Sequence, residues 1–231
     1  MGLSKSKGNM YEWVTHMHSH LRGECPHGCE YCYVQAHERR WHSGAFKGPL
    51  RLKRDELAVK YGSGKVIFAE HQNDLFANDV PMGWVLEILE HCRKWPENEY
   101  VFQTKNPGRL RHIFMRYLPA SVVGTTIETN RHYECMAHAP RTAMRQWEMM
   151  ALRKQHPHMT LFVTIEPILA FDLEEMVKIA EFKPDFVNIG ADSKGHGLPE
   201  PTRSEVLALV KALEERGVKV NRKSNLERLT R

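Results

Sequence analysis

Short apolar, β-rich runs alternate along this chain with amphipathic or charged stretches long enough to be helices, and that alternation leaves few folds open. The pattern predicts strands over 12–18, 65–70, 99–104, 121–127, 159–165 and 185–190. It predicts helices over 51–61, 81–95, 108–117, 139–156 and 172–181. A last helix begins at Thr202, where Thr-x-x-Glu with Glu205 forms a capping box, and stops before Gly217; Lys219 and Val220 add a short seventh strand. Six βα units in 231 residues fall short of a closed eight-unit barrel, which takes about 250. The expected fold is therefore α/β, an open, partial (β/α)6 TIM-like barrel. Doubly wound sheets share the alternation, but both architectures put the site at the carboxyl ends of the strands.

With 42% hydrophobic and 26% charged residues, the chain can bury a large core without disulfides. One domain is expected over 1–216, with 1–10 as a flexible leader, and 217–231 is a basic C-terminal extension of the same domain. No apolar run approaches the roughly 18 residues of a membrane helix, and no signal-peptide core is visible, so a cytoplasmic protein without a membrane partner is expected. The start Met1-Gly2-Leu3-Ser4-Lys5-Ser6 fits a myristoylation pattern, which is short enough to arise by chance. The net charge of +5 resides in the stretch from Arg216 to Arg231, with six basic residues and one acidic. Such an end suits either phosphate contacts or plain solvation.

Three of the five cysteines fall together in Gly23-Glu24-Cys25-Pro26-His27-Gly28-Cys29-Glu30-Tyr31-Cys32-Tyr33, directly after the first predicted strand. An odd, crowded set points to metal ligation over disulfides. Cys25, Cys29 and Cys32 can hold three corners of a [4Fe-4S] cube and leave one iron open for a chelating ligand. The competing reading is a Cys3His zinc site completed by His27, His20 or His16, although no second ligand pair of knuckle type exists. Cys92 sits at helical spacing with Val85, Ile88 and Leu89 and reads as core, whereas Cys135 has no evident role. His16, His18 and His20 share one face if the first strand reaches that far, which suits a His-x-His metal site or simply polar rim residues.

The C-x3-C-x-aromatic-C pattern, with Tyr31 as the aromatic, resembles the radical S-adenosylmethionine (SAM) superfamily, and Cys29-Glu30-Tyr31-Cys32-Tyr33-Val34-Gln35 is similar to the cluster loop of spore photoproduct lyases. A wider likeness to a phage-associated radical-SAM-like family runs through Asn73-Asp74-Leu75-Phe76, Gln103-Thr104-Lys105-Asn106-Pro107, Gly124-Thr125-Thr126-Ile127-Glu128, Thr164-Ile165-Glu166-Pro167 and Asn188-Ile189-Gly190-Ala191-Asp192-Ser193. The cysteine loop is the specific part of this likeness; each of the other pieces is weak alone. The resemblance implies a cluster that passes one electron to SAM, homolysis to a 5′-deoxyadenosyl radical, and hydrogen abstraction from the substrate. It also implies an external one-electron donor of flavodoxin or ferredoxin type.

In that reading Thr126 and Glu128 meet the SAM ribose and carboxylate, and Asp192 is a further contact. The family's usual Gly-Gly-Glu-like turn is replaced here by Ala69-Glu70-His71-Gln72-Asn73-Asp74, so Asn73 or Asp74 is expected to accept from the methionine ammonium, with helix capping as the other role. Lys105 and Glu166 are the catalytic candidates, and Lys105 has an ordinary surface lysine as its alternative. Both likenesses point to thymine in DNA. Arg39-Arg40, Lys53-Arg54 and Arg109 with Arg111 suit phosphate contacts, and Trp41, Phe76, Tyr133 and Trp147 are pocket candidates for a flipped base. The specific expectation is isomerisation of N-linked to C-linked glycyl-thymidine in phage DNA. The alternatives are thymine-lesion repair or another radical nucleoside change, and a metal-stapled nucleic-acid-binding module without catalysis.

Overall fold

The computed structural model describes residues 2–113 and 117–231. Its centre is an eight-stranded sheet in the order β1 (Ser4–Lys5), β2 (His16–His18), β5 (Val66–Ala69), β6 (Glu99–Thr104), β7 (Ser121–Thr126), β8 (Thr160–Ile165), β9 (Phe186–Ile189) and β10 (Val220–Arg222). All neighbours pair in parallel except β1, which runs antiparallel to β2. A separate ribbon pairs β3 (Leu21–Arg22) with β4 (Arg51–Leu52). From β2 to β10 the order in space follows the order in sequence, so the winding has one hand and no switch point. A doubly wound sheet would reverse its order part-way, and that architecture is thereby excluded.

The expected alternation is present, with local differences. Strand β6 has the predicted limits, and five others, β2, β5, β7, β8 and β9, lie inside theirs. Helices α2 (Met82–Arg93), α3 (Thr142–Gln155) and α5 (Arg203–Glu214) stand where expected, and the Thr202–Glu205 capping box forms at the start of α5. The helix predicted over 51–61 is instead strand β4 and a 3-10 turn over Arg54–Ala58. Residues 51–52 pair with β3, and Glu56 is drawn inward to Arg22 at 2.8 Å. The helix predicted over 108–117 is a 3-10 turn over Pro107–His112, held by the Arg109 guanidinium on the carbonyls of Ala77 and Val80; residues 114–116 lie outside the described part. The 172–181 helix is α4 (Leu173–Met176) followed by a 3-10 segment. Helix α1 (Tyr33–Trp41), which the apolar periodicity does not mark, follows the cysteine loop directly, and α6 (Glu227–Thr230) closes the chain.

Strand alternation separates two cores. Ile67, Tyr100, Phe102, Val123, Leu161, Val163 and Val187 pack against α2, α3 and α5 in the larger cluster, and Cys92 is fully buried there as expected. Phe68, Val101, Val122 and Phe162 face the other way and are covered by Tyr11 and Val14, with Trp13 and Phe186 at the margin. The sequence puts flexible residues over 1–10 and the start of the first strand at Glu12. Residues 9–14 are instead an irregular segment lying over this second face, and Ser4–Lys5 form the edge strand. Among the described residues no helix is long and apolar enough to cross a membrane.

Candidate active site

The cysteine loop is built from two successive turns. Gly28 N–H donates to Cys25 O at 3.1 Å, and Cys32 N–H donates to Cys29 O at 3.1 Å, after which α1 begins. Gly23 opens the loop at φ +89°, where a Cβ would sit 2.2 Å from Pro49 O, so only glycine lets the loop leave the β3–β4 ribbon. Backbone bonds from His138 N to His27 O and from Glu30 N to Cys135 O, both 3.0 Å, dock the loop on the segment after β7. Cys135 thereby finds its place, packed with Cys29, Tyr31, Met136 and Leu169 behind the loop.

A cavity of about 450 Å³ opens at the carboxyl ends of the parallel strands, within the range of small-molecule sites. It is lined by Cys25, Cys29 and Cys32 together with Tyr31, Asn73, Asp74, Lys105, Thr126, Glu166 and Asp192. Ten of the eleven residues assigned from the sequence thus converge on one space. The eleventh, Glu128, does not line the cavity. Its side chain has no exposed surface and lies behind the wall, where its Oε1 accepts from Tyr31 Oη at 2.6 Å and from Lys105 Nζ, and its Oε2 from Arg145 Nη1 at 2.8 Å. Contact with a SAM ribose would require dismantling that network. Burial alone would raise the Glu128 carboxyl, but Lys105 and Arg145 outweigh it and hold it at about 2.

Asp74 is a second hub, joined to the first through Lys105. Its Oδ2 accepts from His27 Nε2 at 2.7 Å, Thr104 Oγ1 at 3.0 Å and Lys105 N at 2.8 Å, and its Oδ1 accepts from Phe76 N at 2.9 Å. Asn73 donates to Gly23 O at 3.2 Å and accepts from Asp74 N at 3.1 Å. Both residues border the cavity, but their polar atoms already lock the cysteine loop to the strand ends. Asp192 is tied within its own loop to Lys194 N at 3.0 Å and to His196. Thr126 Oγ1 accepts from Gln103 Nε2 at 2.9 Å. Glu166 is bridged at Oε2 by Lys223 Nζ at 2.5 Å and at Oε1 by Asn9 and Asn225 amides, both at 2.7 Å.

Several residues in this constellation carried no assignment from the sequence. Tyr11 reaches Gln103 at 2.5 Å and Thr164 at 2.6 Å, and with Tyr33 and Phe68 it supplies the aromatic wall. The four aromatics chosen by type do not line the cavity: Phe76 is core, Tyr133 packs near Cys135, and Trp41 and Trp147 are 61% and 53% exposed. Lys223 sits in the basic end, whose other charges are largely paired, Arg228 with Glu200, Arg231 with Glu227 and Arg222 with Glu214. Of the expected phosphate contacts, Arg109 is spent on backbone carbonyls and Arg54 pairs with Glu87 at 3.1 Å.

The donor set itself discriminates between metals. Among the described residues, the trio of His, Cys, Asp or Glu ligand atoms lying within 4.8 Å of one another is His18, His20 and His91. The three thiols are spread wider than that, whereas sulfurs on one tetrahedral zinc ion stand about 3.8 Å apart for Zn–S near 2.3 Å. Thiolates on three corners of a cube bind three different irons and stand farther apart, so Cys25, Cys29 and Cys32 fit a cluster better than a single ion. Burial, with Asp74 adding to it, pushes the Cys25 thiol up to about 12.

A family model described as "Protein of unknown function (DUF5131)" matches residues 9–219. The chain belongs to that family. No curated protein matches the sequence. Solved structures similar to this DUF5131 chain are spore photoproduct lyases. A cysteine-to-serine mutant aligns with TM-score 0.62 at 12% identity, covering 94% of this chain and 79% of the lyase. A tyrosine-to-phenylalanine mutant gives 0.61 at 11%, covering 95% and 80%. A double mutant with bound AdoMet and dinucleoside spore photoproduct gives 0.57 at 12%, covering 93% of this chain; the chain spans 66% of that lyase's length. Identity this low shows the shared fold.

Proposed function

We propose that this DUF5131 chain is a radical SAM enzyme that binds a [4Fe-4S] cluster through Cys25, Cys29 and Cys32 and acts on a thymine nucleoside in DNA. The observation that carries the reading is the double-turn loop presenting three thiols to one cavity at the carboxyl ends of a singly wound parallel sheet. Its fold is similar to that of a lyase whose structure holds AdoMet and a dinucleoside. When bound, the cluster and SAM supply a 5′-deoxyadenosyl radical, with the electron drawn from a flavodoxin- or ferredoxin-type donor.

The protein's own residues position and shield. Lys105 and Arg145 bring two positive charges to the single carboxylate of Glu128, so the group keeps one net positive charge, and Lys105 presents it to the cavity. A carboxylate such as that of SAM complements it. Asp74, holding His27 and the Lys105 backbone together, fixes the loop relative to that charge. Tyr11, Tyr33 and Phe68 add aromatic surface to the lining of the same cavity. Thr126 and Asp192 border the space left for the nucleoside parts, and Glu166, paired with Lys223, accepts from Asn9 of the N-terminal segment.

The specific reaction we favour is isomerisation of glycyl-thymidine, in which the bond from thymine methylene to glycine nitrogen and one glycine Cα–H bond break, while a bond from the methylene to Cα and an N–H bond form, so that no atom is gained or lost. The lyase-like fold favours thymine-lesion repair as a second reading. The test is anaerobic cluster reconstitution, then dithionite and SAM, with Cys29→Ala as control. Production of 5′-deoxyadenosine that vanishes in the control supports radical chemistry, and conversion of glycyl-thymidine DNA supports the isomerase. No iron uptake, with zinc that is lost in the Cys29→Ala control, would overturn both.

A further inference from the structure

Behind the Glu70 side of the cavity lies a group of side chains that the proposed reaction does not use. His18 ends β2, His20 follows it, and His91 comes across from α2; all three are buried, and their ligand atoms lie within 4.8 Å of one another. His16, which shares the alternation in sequence, is partly exposed at the start of the strand and bonds Thr15 instead.

Hydrogen-bond bookkeeping fixes how each ring is oriented. His18 Nε2 faces Glu56 Oε2 at 3.0 Å, and His20 Nδ1 faces Glu70 Oε1 at 2.5 Å. Glu70 also accepts from the backbone N–H groups of His20 at 2.7 Å and Leu21 at 3.1 Å, so its oxygens act as acceptors and His20 Nδ1 carries the hydrogen. His91 Nε2 faces Val59 O at 2.8 Å, and a carbonyl can only accept. Tyr61 Oη donates to His18 Nδ1 at 2.7 Å and lies 3.3 Å from His20 Nε2. With each ring neutral, the three imidazoles and one phenol bring four hydrogens, one for each of these four contacts. A fifth close contact, His20 Nε2 to His91 Nδ1 at 2.8 Å, has none. Exchanging the tautomer of His91 only moves the deficit to Val59.

The bare nitrogens are His18 Nδ1, His20 Nε2 and His91 Nδ1, each on a ring whose other nitrogen is anchored to a carboxylate or a backbone carbonyl. That is the support that metal-bound histidines receive from their surroundings. From this we infer that the cluster is a structural site for one divalent transition-metal ion of zinc type, with three imidazole nitrogens as ligands and Tyr61 Oη as the fourth donor. The site is closed, since His18 and His20 side chains have no exposed surface, so it has no open position for a substrate. It ties β2, the segment around residues 56–61 and α2 together, and through Glu70, which also borders the cavity, it steadies the floor beside the cysteine loop. The inference does not depend on the radical SAM reading.

Metal analysis of full-length C25A/C29A/C32A protein from zinc-replete medium separates this site from the thiols. The expected result is about one zinc per chain, falling at least tenfold when His91→Ala is added. Cobalt substitution in C25A/C29A/C32A is expected to give the visible d–d bands of a tetrahedral ion without thiolate charge transfer, a readout that stands even if the His91 variant does not fold. Folded C25A/C29A/C32A without stoichiometric metal or cobalt bands, or zinc undiminished by His91→Ala, would overturn the assignment. A nitrogen-15 NMR signal for a proton shared between His20 and His91 would do the same, because it would supply the missing hydrogen.

Discussion

Arg145 Nη1 meets Glu128 Oε2 at 2.8 Å with neither side chain exposed, which ties α3 to the end of β7 from inside the protein. The same guanidinium reaches Thr126 O at 2.8 Å and Pro140 O at 2.6 Å. Arg145→Met therefore removes the neighbour of a buried charge, and a loss of about 3–5 kcal/mol is expected in urea unfolding. Adding Glu128→Gln should restore part of it. Equal losses in the single and double variants would mean the pair is not coupled.

The same carboxylate makes stability pH-dependent. Its pKa is about 2 when folded against an ordinary 4.5, so its contribution is complete above pH 4.5 and disappears as pH falls toward 2. At 1.36 kcal/mol per unit the contribution is roughly 3 kcal/mol. Stability measured from pH 5 to 2 should fall less steeply for Glu128→Gln than for the unaltered chain. Parallel slopes would contradict the assignment.

Gly124 on β7 pairs in register with Phe162 on β8, whose ring occupies the space of the missing side chain. A Cβ at residue 124 would stand 2.3 Å from the ring. Gly124→Ala should cost about 1–3 kcal/mol through overpacking, with a matching fall in Tm of a few degrees per kcal/mol. Phe162→Leu on the same chain should recover some of that loss, and thermal denaturation of the three variants decides it.

Asp74 bridges His27, Thr104 and the Lys105 backbone. If Cys25, Cys29 and Cys32 hold the proposed cluster, Asp74→Ala is expected to leave the fold intact while speeding iron loss from the reconstituted protein to a chelator about 10–100-fold, as for groups that orient metal ligands from behind. Iron retention equal to that of the unaltered protein would show that the loop holds its shape without this carboxylate.

Tyr11→Phe removes the hydroxyl shared by Gln103 and Thr164 while keeping the ring over Phe68 and Phe162. A loss of about 1–3 kcal/mol is expected from the polar groups left without a partner. Amide exchange over residues 9–14 should rise before exchange in the sheet does. Uniform exchange across both would place the effect elsewhere.

The sequence by itself determined the repeated βα units, the limits of β6, the capping box at Thr202 and the cysteine loop, because each is written in periodicity or spacing over a few residues. Helix α1 escaped that reading because it buries only Val34 and Glu38, too little for an apolar stripe. Tertiary structure alone decided that Glu128 turns away from the cavity toward Arg145, that residues 9–14 cover the second face of the sheet, and that Lys223 reaches Glu166. It also brought His91 to His20 across 71 residues, leaving His16 outside. A buried charge or an imidazole takes whichever partner packing brings within hydrogen-bonding distance, and that choice is made by the sheet and its helices rather than by neighbours in the chain.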